Sequence, residues 1–290
     1  MKILISGGTG YIGNHIIDSF DRDEIYVLSR SREGSEGRIR YIKWSPPNRD
    51  WEKNLEKPDI IINLAGKSIG EGRWNERLKK ELLESRLNST RSLVEYANSA
   101  GVPIMVSASA VGYYGNRGDD VLTEESPPGN DFLANLAVKW EEEASKFNGH
   151  LIILRFGVVI GKNAPLLQNL LKAIKLRSAK RLGTGKQWYS WIHVDDIPNI
   201  IKFSIENKLQ GPVNASSPNP MRNEDFMKIL STAYAKKQYF SLPTPILKMV
   251  LGELADYLVL SSQRAIPDKL TSKGYRFQYA SLEQAIQASL

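Results

Sequence analysis

The first residues able to do chemistry stand near the N-terminus, where Ser6-Gly7-Gly8-Thr9-Gly10-Tyr11-Ile12-Gly13 follows a short apolar run. Gly7, Gly10 and Gly13 satisfy GxxGxxG, and Gly8, Gly10 and Gly13 satisfy GxGxxG. Such spacing alone is a weak signal. Directly after a strand and opening a helix, it is the dinucleotide-binding fingerprint. Glycines allow a tight turn and close backbone approach to a pyrophosphate, and the helix N-terminus adds unpaired N–H groups and a favourable dipole. Thr9, Tyr11 and Ile12 lie inside the same turn and join the candidate cofactor site. The end of the second strand discriminates the cofactor. An NAD site wants Asp or Glu there for the ribose 2′-hydroxyl. This chain has Ser29-Arg30, with Arg32 close by and no acid before Glu33. A guanidinium suits the 2′-phosphate of NADP, so NADPH is expected rather than NADH.

A second set of reactive types sits in WIHVDD at 191–196. His193 could exchange protons, but its simpler reading is a hydrogen-bonded structural ring. Asp195 reads as a helix N-cap and Asp196 as complementing the helix dipole, which is simpler than a metal site built on the three. Trp188, Tyr189 and Trp191 either wall a substrate cleft or pack in the core, and Arg73 and Trp74 are the same kind of candidate from the opposite side.

These residues need elements to position them. Short apolar runs at 2–6, 24–29, 39–44, 59–64, 103–109, 151–156 and 211–216 read as strands, several of them covered on both faces. Helical patterns lie at 11–20, 75–100, 131–147, 165–177, 195–207, 222–236 and 245–260, and a terminal helix closes the chain. Alternating strand and helix predicts an α/β Rossmann-type doubly wound parallel sheet. The expected division is an NADP-binding Rossmann domain over 1–161 and 186–215, with a smaller, mostly helical substrate-side region over 162–185 and 216–290.

Composition narrows the classes. Hydrophobic residues are 41% and charged residues 24% of 290, which suits a globular chain and argues against a disordered chain or a fibre. No apolar run approaches the roughly 20 residues of a spanning helix, so no membrane association is expected. Cysteine is absent, which excludes disulfides and thiolate chemistry. The N-terminus turns glycine-rich at once, unlike a secretory signal, and a cytoplasmic protein is expected. The net charge of +7 gathers in Arg30, Arg32, Arg38, Arg40 and Lys43, and in Lys172, Lys175, Arg177, Lys180, Arg181 and Lys186. Solvated faces or an anionic small ligand explain these clusters. Nucleic acid ranks last, since no zinc-finger spacing, heptad or internal repeat supports it.

Several blocks occur in an order that resembles a known family: GGTGYIG, NLAG at 63–66, GRWN at 72–75, SRLNST at 85–90, SASAVGYYG at 107–115, LRFGVVIG at 154–161, GTGKQWYSWIH, VNASSPNP and a tail with LSSQRAIPDKL and GYRF. The chain is similar, over nearly its whole length, to the extended short-chain dehydrogenase/reductases. Within them it resembles the epimerase-like NAD(P)-binding family with a short C-terminal domain of uncharacterised role. The resemblance implies that Gly7, Gly10 and Gly13 form the pyrophosphate turn and that Ser29 and Arg30 hold the 2′-phosphate. Leu64, Ala65 and Gly66 pass along the adenosine side, Glu81 and Arg86 line the cofactor, Ser107 joins them, and Val159 sits near the nicotinamide end.

The same resemblance exposes a departure. The dehydrogenases pair a Ser with Tyr-x-x-x-Lys one helix later. Ser109 fits the serine, but by spacing Phe132 falls where Tyr belongs and Leu136 where Lys belongs. A positioned general acid/base is worth roughly 10²–10⁴-fold in rate, and a phenyl ring moves no proton. Tyr113 and Tyr114, Lys139 and His193 are the remaining proton carriers, and Ser109 with Tyr113 is the catalytic pair expected here. The favoured function is an NADP-dependent oxidoreductase or epimerase-like enzyme on an unidentified small polar substrate. The alternative is a non-catalytic NADPH-binding sensor or regulator. Oligomeric state is open.

Overall fold

The computed structural model describes residues 1–169, 181–234 and 241–290. Runs of Ile, Leu and Val with no polar face become strands buried on both sides. In chain order they are β1 (Lys2–Ser6), β2 (Glu24–Ser29), β3 (Gly34–Glu36), β4 (Ile39–Lys43), β5 (Ile60–Asn63), β6 (Ile104–Ala110), β7 (Val121–Leu122) and β8 (His150–Phe156). Then come β9 (Val158–Ile160), β10 (Trp188–Tyr189), β11 (Trp191–His193), β12 (Gly211–Ala215), β13 (Met221–Arg222) and β14 (Arg264–Ala265). Eight form one sheet in the order β12-β8-β6-β5-β1-β2-β4-β3. All neighbours are parallel except the β3–β4 hairpin at the edge. This is the expected doubly wound Rossmann-type α/β sheet, and strand order reverses between β1 and β5, where such sheets bind ligands at their C-terminal ends.

Helices cover both faces. They are α1 (Tyr11–Ser19), α2 (Glu76–Ala100), α3 (Phe132–Ala144), α4 (Asp196–Glu206), α5 (Asn223–Ala233), α6 (Thr244–Leu251), α7 (Asp268–Ser272) and α8 (Leu282–Ala288). Alternation along the strands sorts the core. Ile3, Ile5, Val27, Ile60 and Ile62 pack with residues of α1 and α4. Leu4, Tyr26, Ile61 and Met105 pack with residues of α2 and α3. Asn75 caps α2 by accepting from Leu78 N at 2.9 Å, and Gly101 ends it at φ +65°. Asp131 caps α3 through Ala134 N, also at 2.9 Å.

The C-terminal region builds a second core from Leu182, Tyr189, Trp191, Phe226, Leu230, Leu247 and Leu282. Tyr189 and Trp191 therefore pack inside rather than wall a cleft, and their polar atoms donate to Val259 O and Asn219 O. The single helix expected over 245–260 is split: α6 stops at Gly252, at φ +61°, and a π-helical turn follows over Ala255–Val259. Asp195 does not act as the expected cap, because its carboxylate makes no cap hydrogen bond. Most of the helix expected over 165–177, and Lys172, Lys175, Arg177 and Lys180, lie outside the described residues. Among the described residues no helix is long and apolar enough to cross a membrane.

Candidate functional site

The glycine turn has the form a dinucleotide needs. Gly7 takes φ +73°, and a Cβ there would stand 2.8 Å from Leu64 C and O. A Cβ on Gly13 would meet Gly7 O at 2.5 Å. Gly10 N donates to Gly7 O at 3.0 Å and closes the turn. Helix α1 then starts at Gly10 with no side-chain cap and no acid in its first turn. Its leading N–H groups are left for an anion. Thr9 is exposed, while Tyr11 and Ile12 are half-buried. The Tyr11 hydroxyl is buried without a hydrogen-bond partner among the described residues, and burial, aided by the Asp195 charge, pushes its pKa up to about 12.

At the tip of β2, Ser29 is buried and its Oγ accepts from Ser31 N at 3.3 Å and Arg32 N at 3.0 Å. The serine thus orders the loop that carries the cations. Arg30 is exposed, and among the described residues it has no ion-pair partner. Arg32 lies over the Tyr41 ring, 5.4 Å from its centroid. Arg38 separates from this group, because its guanidinium donates to Ile17 O and Phe20 O and caps the end of α1.

The residues beyond β5 are organised by Asn63, whose role was not legible in the sequence. Fully buried, it accepts from Ser6 Oγ at 2.8 Å and donates to Thr90 Oγ1 at 2.9 Å and Ser107 Oγ at 3.3 Å. Ser107 is therefore engaged in joining β5 to β6. Leu64 and Ala65 follow directly and face the glycine turn through their backbone. Gly66 lies against Arg86, and a Cβ there would stand 3.1 Å from Arg86 Cγ and Cζ. Arg86 is buried at 9% exposure, donates from Nη1 to Lys67 O and Leu82 O, and among the described residues leaves Nε without a hydrogen-bond partner. Among the described residues no carboxylate pairs with it, and burial lowers its pKa to about 10. A buried cation without a counter-charge beside the switch point fits an anionic ligand. Glu81 is spent elsewhere, on Lys67 at 3.0 Å and Arg77 at 2.9 Å, and these cations hold its carboxyl below the usual range.

Ser109 and its surroundings form a buried polar chain. Ser109 Oγ donates to Glu141 Oε1 at 2.6 Å. Arg155 grips the same carboxylate in bidentate fashion, Nε to Oε1 and Nη2 to Oε2, both at 2.8 Å. Burial works against that guanidinium's charge, but Glu141 outweighs it and holds the pKa above the ordinary value. Arg155 Nη1 also donates to Tyr114 Oη, which donates to Asn214 Oδ1 at 2.8 Å. Tyr113 lays its ring on Arg155, 3.5 Å from the guanidinium carbon, and among the described residues its hydroxyl makes no hydrogen bond. Tyr113 belongs to the 3-10 turn Val111–Tyr114, where Gly112 approaches Leu133 at the start of α3.

The position expected for the dehydrogenase tyrosine is packed shut. Phe132 meets Trp74 edge-on at 5.3 Å, Trp74 stacks on Tyr257 at 5.8 Å, and Lys79 Nζ sits 5.6 Å from the Phe132 ring. Lys79 also pairs with Glu253 at 2.5 Å, tying α2 to the C-terminal region. Leu136 is buried and Lys139 is exposed. Val159 is half-buried on β9, paired with Ile192. His193 is buried, its Nδ1 accepts from Asp195 N at 3.3 Å, and among the described residues Nε2 has no hydrogen-bond partner. Asp196 is fully buried and accepts from Gln278 N at 2.8 Å and Tyr279 N at 3.1 Å, so it anchors the C-terminal tail.

A reversed-order parallel sheet with a glycine turn at its switch point defines the Rossmann-type dinucleotide-binding class. The sequence model of the NAD dependent epimerase/dehydratase family matches residues 3–216, and a domain of unknown function, DUF1731, matches residues 242–289. The chain belongs to the NAD dependent epimerase/dehydratase family. It is 35% identical to the epimerase family protein YfhF of Bacillus subtilis, covering 99% of this chain and 97% of that one. It is also similar to the crystal structure of human epimerase family protein SDR39U1 with NADPH, at TM-score 0.87 and 27% identity, covering 100% of this chain and 99% of that one. A UDP-glucuronic acid 4-epimerase from Bacillus cereus in complex with NAD shares the fold alone, at TM-score 0.79 and 17% identity over 100% of this chain and 97% of that one.

Proposed function

We propose that this chain binds NADPH along the C-terminal ends of β1, β2 and β5, and acts as an oxidoreductase or epimerase-like enzyme on a small polar substrate. The uncapped N-terminus of α1 above the Gly7–Gly13 turn carries the reading. The turn and α1 would take the pyrophosphate, Ser29 and Arg30 the 2′-phosphate, and Arg86 a further negative charge. The bound nicotinamide supplies hydride chemistry. What the chain must add is a proton carrier. Ser109 gives its proton to a hydrogen bond with Glu141, and Phe132 has none to give. Tyr113, on the turn at the start of α3, is the phenol left for that task, and Arg155 holds its ring in place. The similarity to human SDR39U1, whose crystal structure is with NADPH, supports the choice of cofactor.

The locked Ser109–Glu141 contact and the Phe132–Trp74–Tyr257 stack favour a second reading, a sensor that binds NADPH without turnover. One experiment separates the two. NADPH and NADH are titrated by tryptophan-to-nicotinamide energy transfer, and then carbonyl and sugar-nucleotide compounds are screened for NADPH oxidation or product. Turnover that falls about 10²–10⁴-fold in Tyr113→Phe supports the enzyme. Selective binding with no turnover anywhere in the screen establishes the sensor. Binding of neither nucleotide rejects both.

A further inference from the structure

We propose that Lys43, on the strand beside the tip of β2, is a second anchor for the 2′-phosphate and sets the preference for NADPH over NADH. The inference rests on the dinucleotide reading above and adds to it a residue from a different strand.

In the parallel ladder of β2 and β4, Lys43 is the register partner of Ser29. Trp44 N donates to Ser29 O at 2.8 Å, which fixes the two strand ends side by side. Register partners in a ladder project to the same face, and alternate residues along a strand share that face. Val27 packs with the α1-side core, so Ser29 points to that side, and so does Lys43 two residues after Tyr41. Arg32 comes down onto this same face, over the Tyr41 ring.

Lys43 is exposed, and among the described residues it forms neither an ion pair nor a hydrogen bond. Glu33 and Asp50 share with it the lining of a cleft of about 310 Å³, but neither pairs with it, and Asp50 is held by Lys53. The sequence places five cations between residues 30 and 43, and the structure divides them. Arg38 is consumed by the end of α1. Arg40 stands opposite Tyr26, three residues back from the tip and on the other face. Arg30, Arg32 and Lys43 remain around Ser29, and among the described residues no carboxylate pairs with them. A ribose 2′-phosphate carries nearly two negative charges near neutral pH, whereas the 2′-hydroxyl of NADH carries none. Three uncompensated cations around one hydroxyl side chain match the first and gain nothing from the second.

The test is the ratio of NADPH to NADH affinity in the full-length protein. Lys43→Ala should weaken NADPH about fivefold, the order of one exposed charge contact, and leave NADH unchanged. Lys43→Glu should lower the ratio further. Arg40→Ala, which removes the same charge from the same strand, should leave the ratio unaltered. A selective wild type whose ratio is unmoved by Lys43→Ala overturns the role of Lys43 and leaves the cofactor reading standing. Equal weakening of both nucleotides, or an Arg40→Ala variant that behaves like Lys43→Ala, overturns it too. A wild type that binds neither nucleotide rejects the cofactor reading itself.

Discussion

Removing the Glu141 carboxylate should markedly destabilise the fold, because it breaks a buried ion pair from one side. Arg155 keeps only 3% of its side-chain surface and Glu141 only 10%, so neither charge can turn to water. Glu141→Ala strips Arg155 of both charged hydrogen bonds, leaving Tyr114 Oη and Glu124 O as its acceptors. Breaking a buried pair from one side costs about 3–5 kcal/mol. The same substitution orphans the Ser109 hydroxyl, a further loss of roughly 1 kcal/mol or more that will not add in full. A total near 4 kcal/mol is a large fraction of the roughly 5–15 kcal/mol of a typical domain. Urea unfolding followed by tryptophan fluorescence reads it directly. The double variant Glu141→Leu with Arg155→Met removes both charges together and should recover most of the loss. A Glu141→Ala loss below about 1 kcal/mol would refute the claim that the pair is dry.

Four further outcomes are expected. Gly13→Ala places a methyl 2.5 Å from Gly7 O and should abolish nucleotide binding by titration, while Gly37→Ala, with nothing within 4 Å, should not. Asp196→Asn offers one acceptor oxygen where two serve Gln278 N and Tyr279 N, so the segment 275–279 should exchange its amides faster, by about 1–3 kcal/mol of lost protection. Burial holds the His193 ring below the ordinary imidazole range, and His15 acts with it while Asp195 opposes. The unfolded chain then takes the proton first. Stability from neutral His193 is complete above about pH 6.5 and is lost as pH falls through the folded value, and the gap between wild type and His193→Gln in urea should narrow from about pH 7.5 to about pH 5. Ser109→Ala should lower the urea midpoint through the lost bond to Glu141 and leave NADPH affinity unchanged.

Local pattern was enough for the sheet and the phosphate turn. The apolar runs 2–6, 24–29 and 151–156 admit no polar face, and Gly7 to Gly13 sits where a strand must give way to a helix. What stayed hidden depends on distant partners. Ser109 reads as a catalytic serine, and its hydrogen bond to Glu141, 32 residues on, is invisible in its neighbours. Asn63, Arg155 and Asp196 stand in or beside apolar runs, and nothing in their neighbours reveals what they bond. Trp191 and Tyr189 read equally as cleft walls or as core, because aromatic clusters serve both purposes, and only the second core decides between them. The helix expected over 245–260 had the right periodicity, and Gly252 alone stops it.

Two buried carboxylates tie the C-terminal tail to the rest of the fold, one to α4 and one to the sheet. Asp196 draws both of its backbone donors from residues 278 and 279, and Glu124 accepts from Asn214 N in the sheet and from Lys269 N in the tail. A chain ending before residue 242 would leave Asp196 with neither backbone donor and Glu124 with one fewer. The two stretches matched by separate family models are thus joined through buried carboxylates, and the fold of the first draws part of its polar satisfaction from the second.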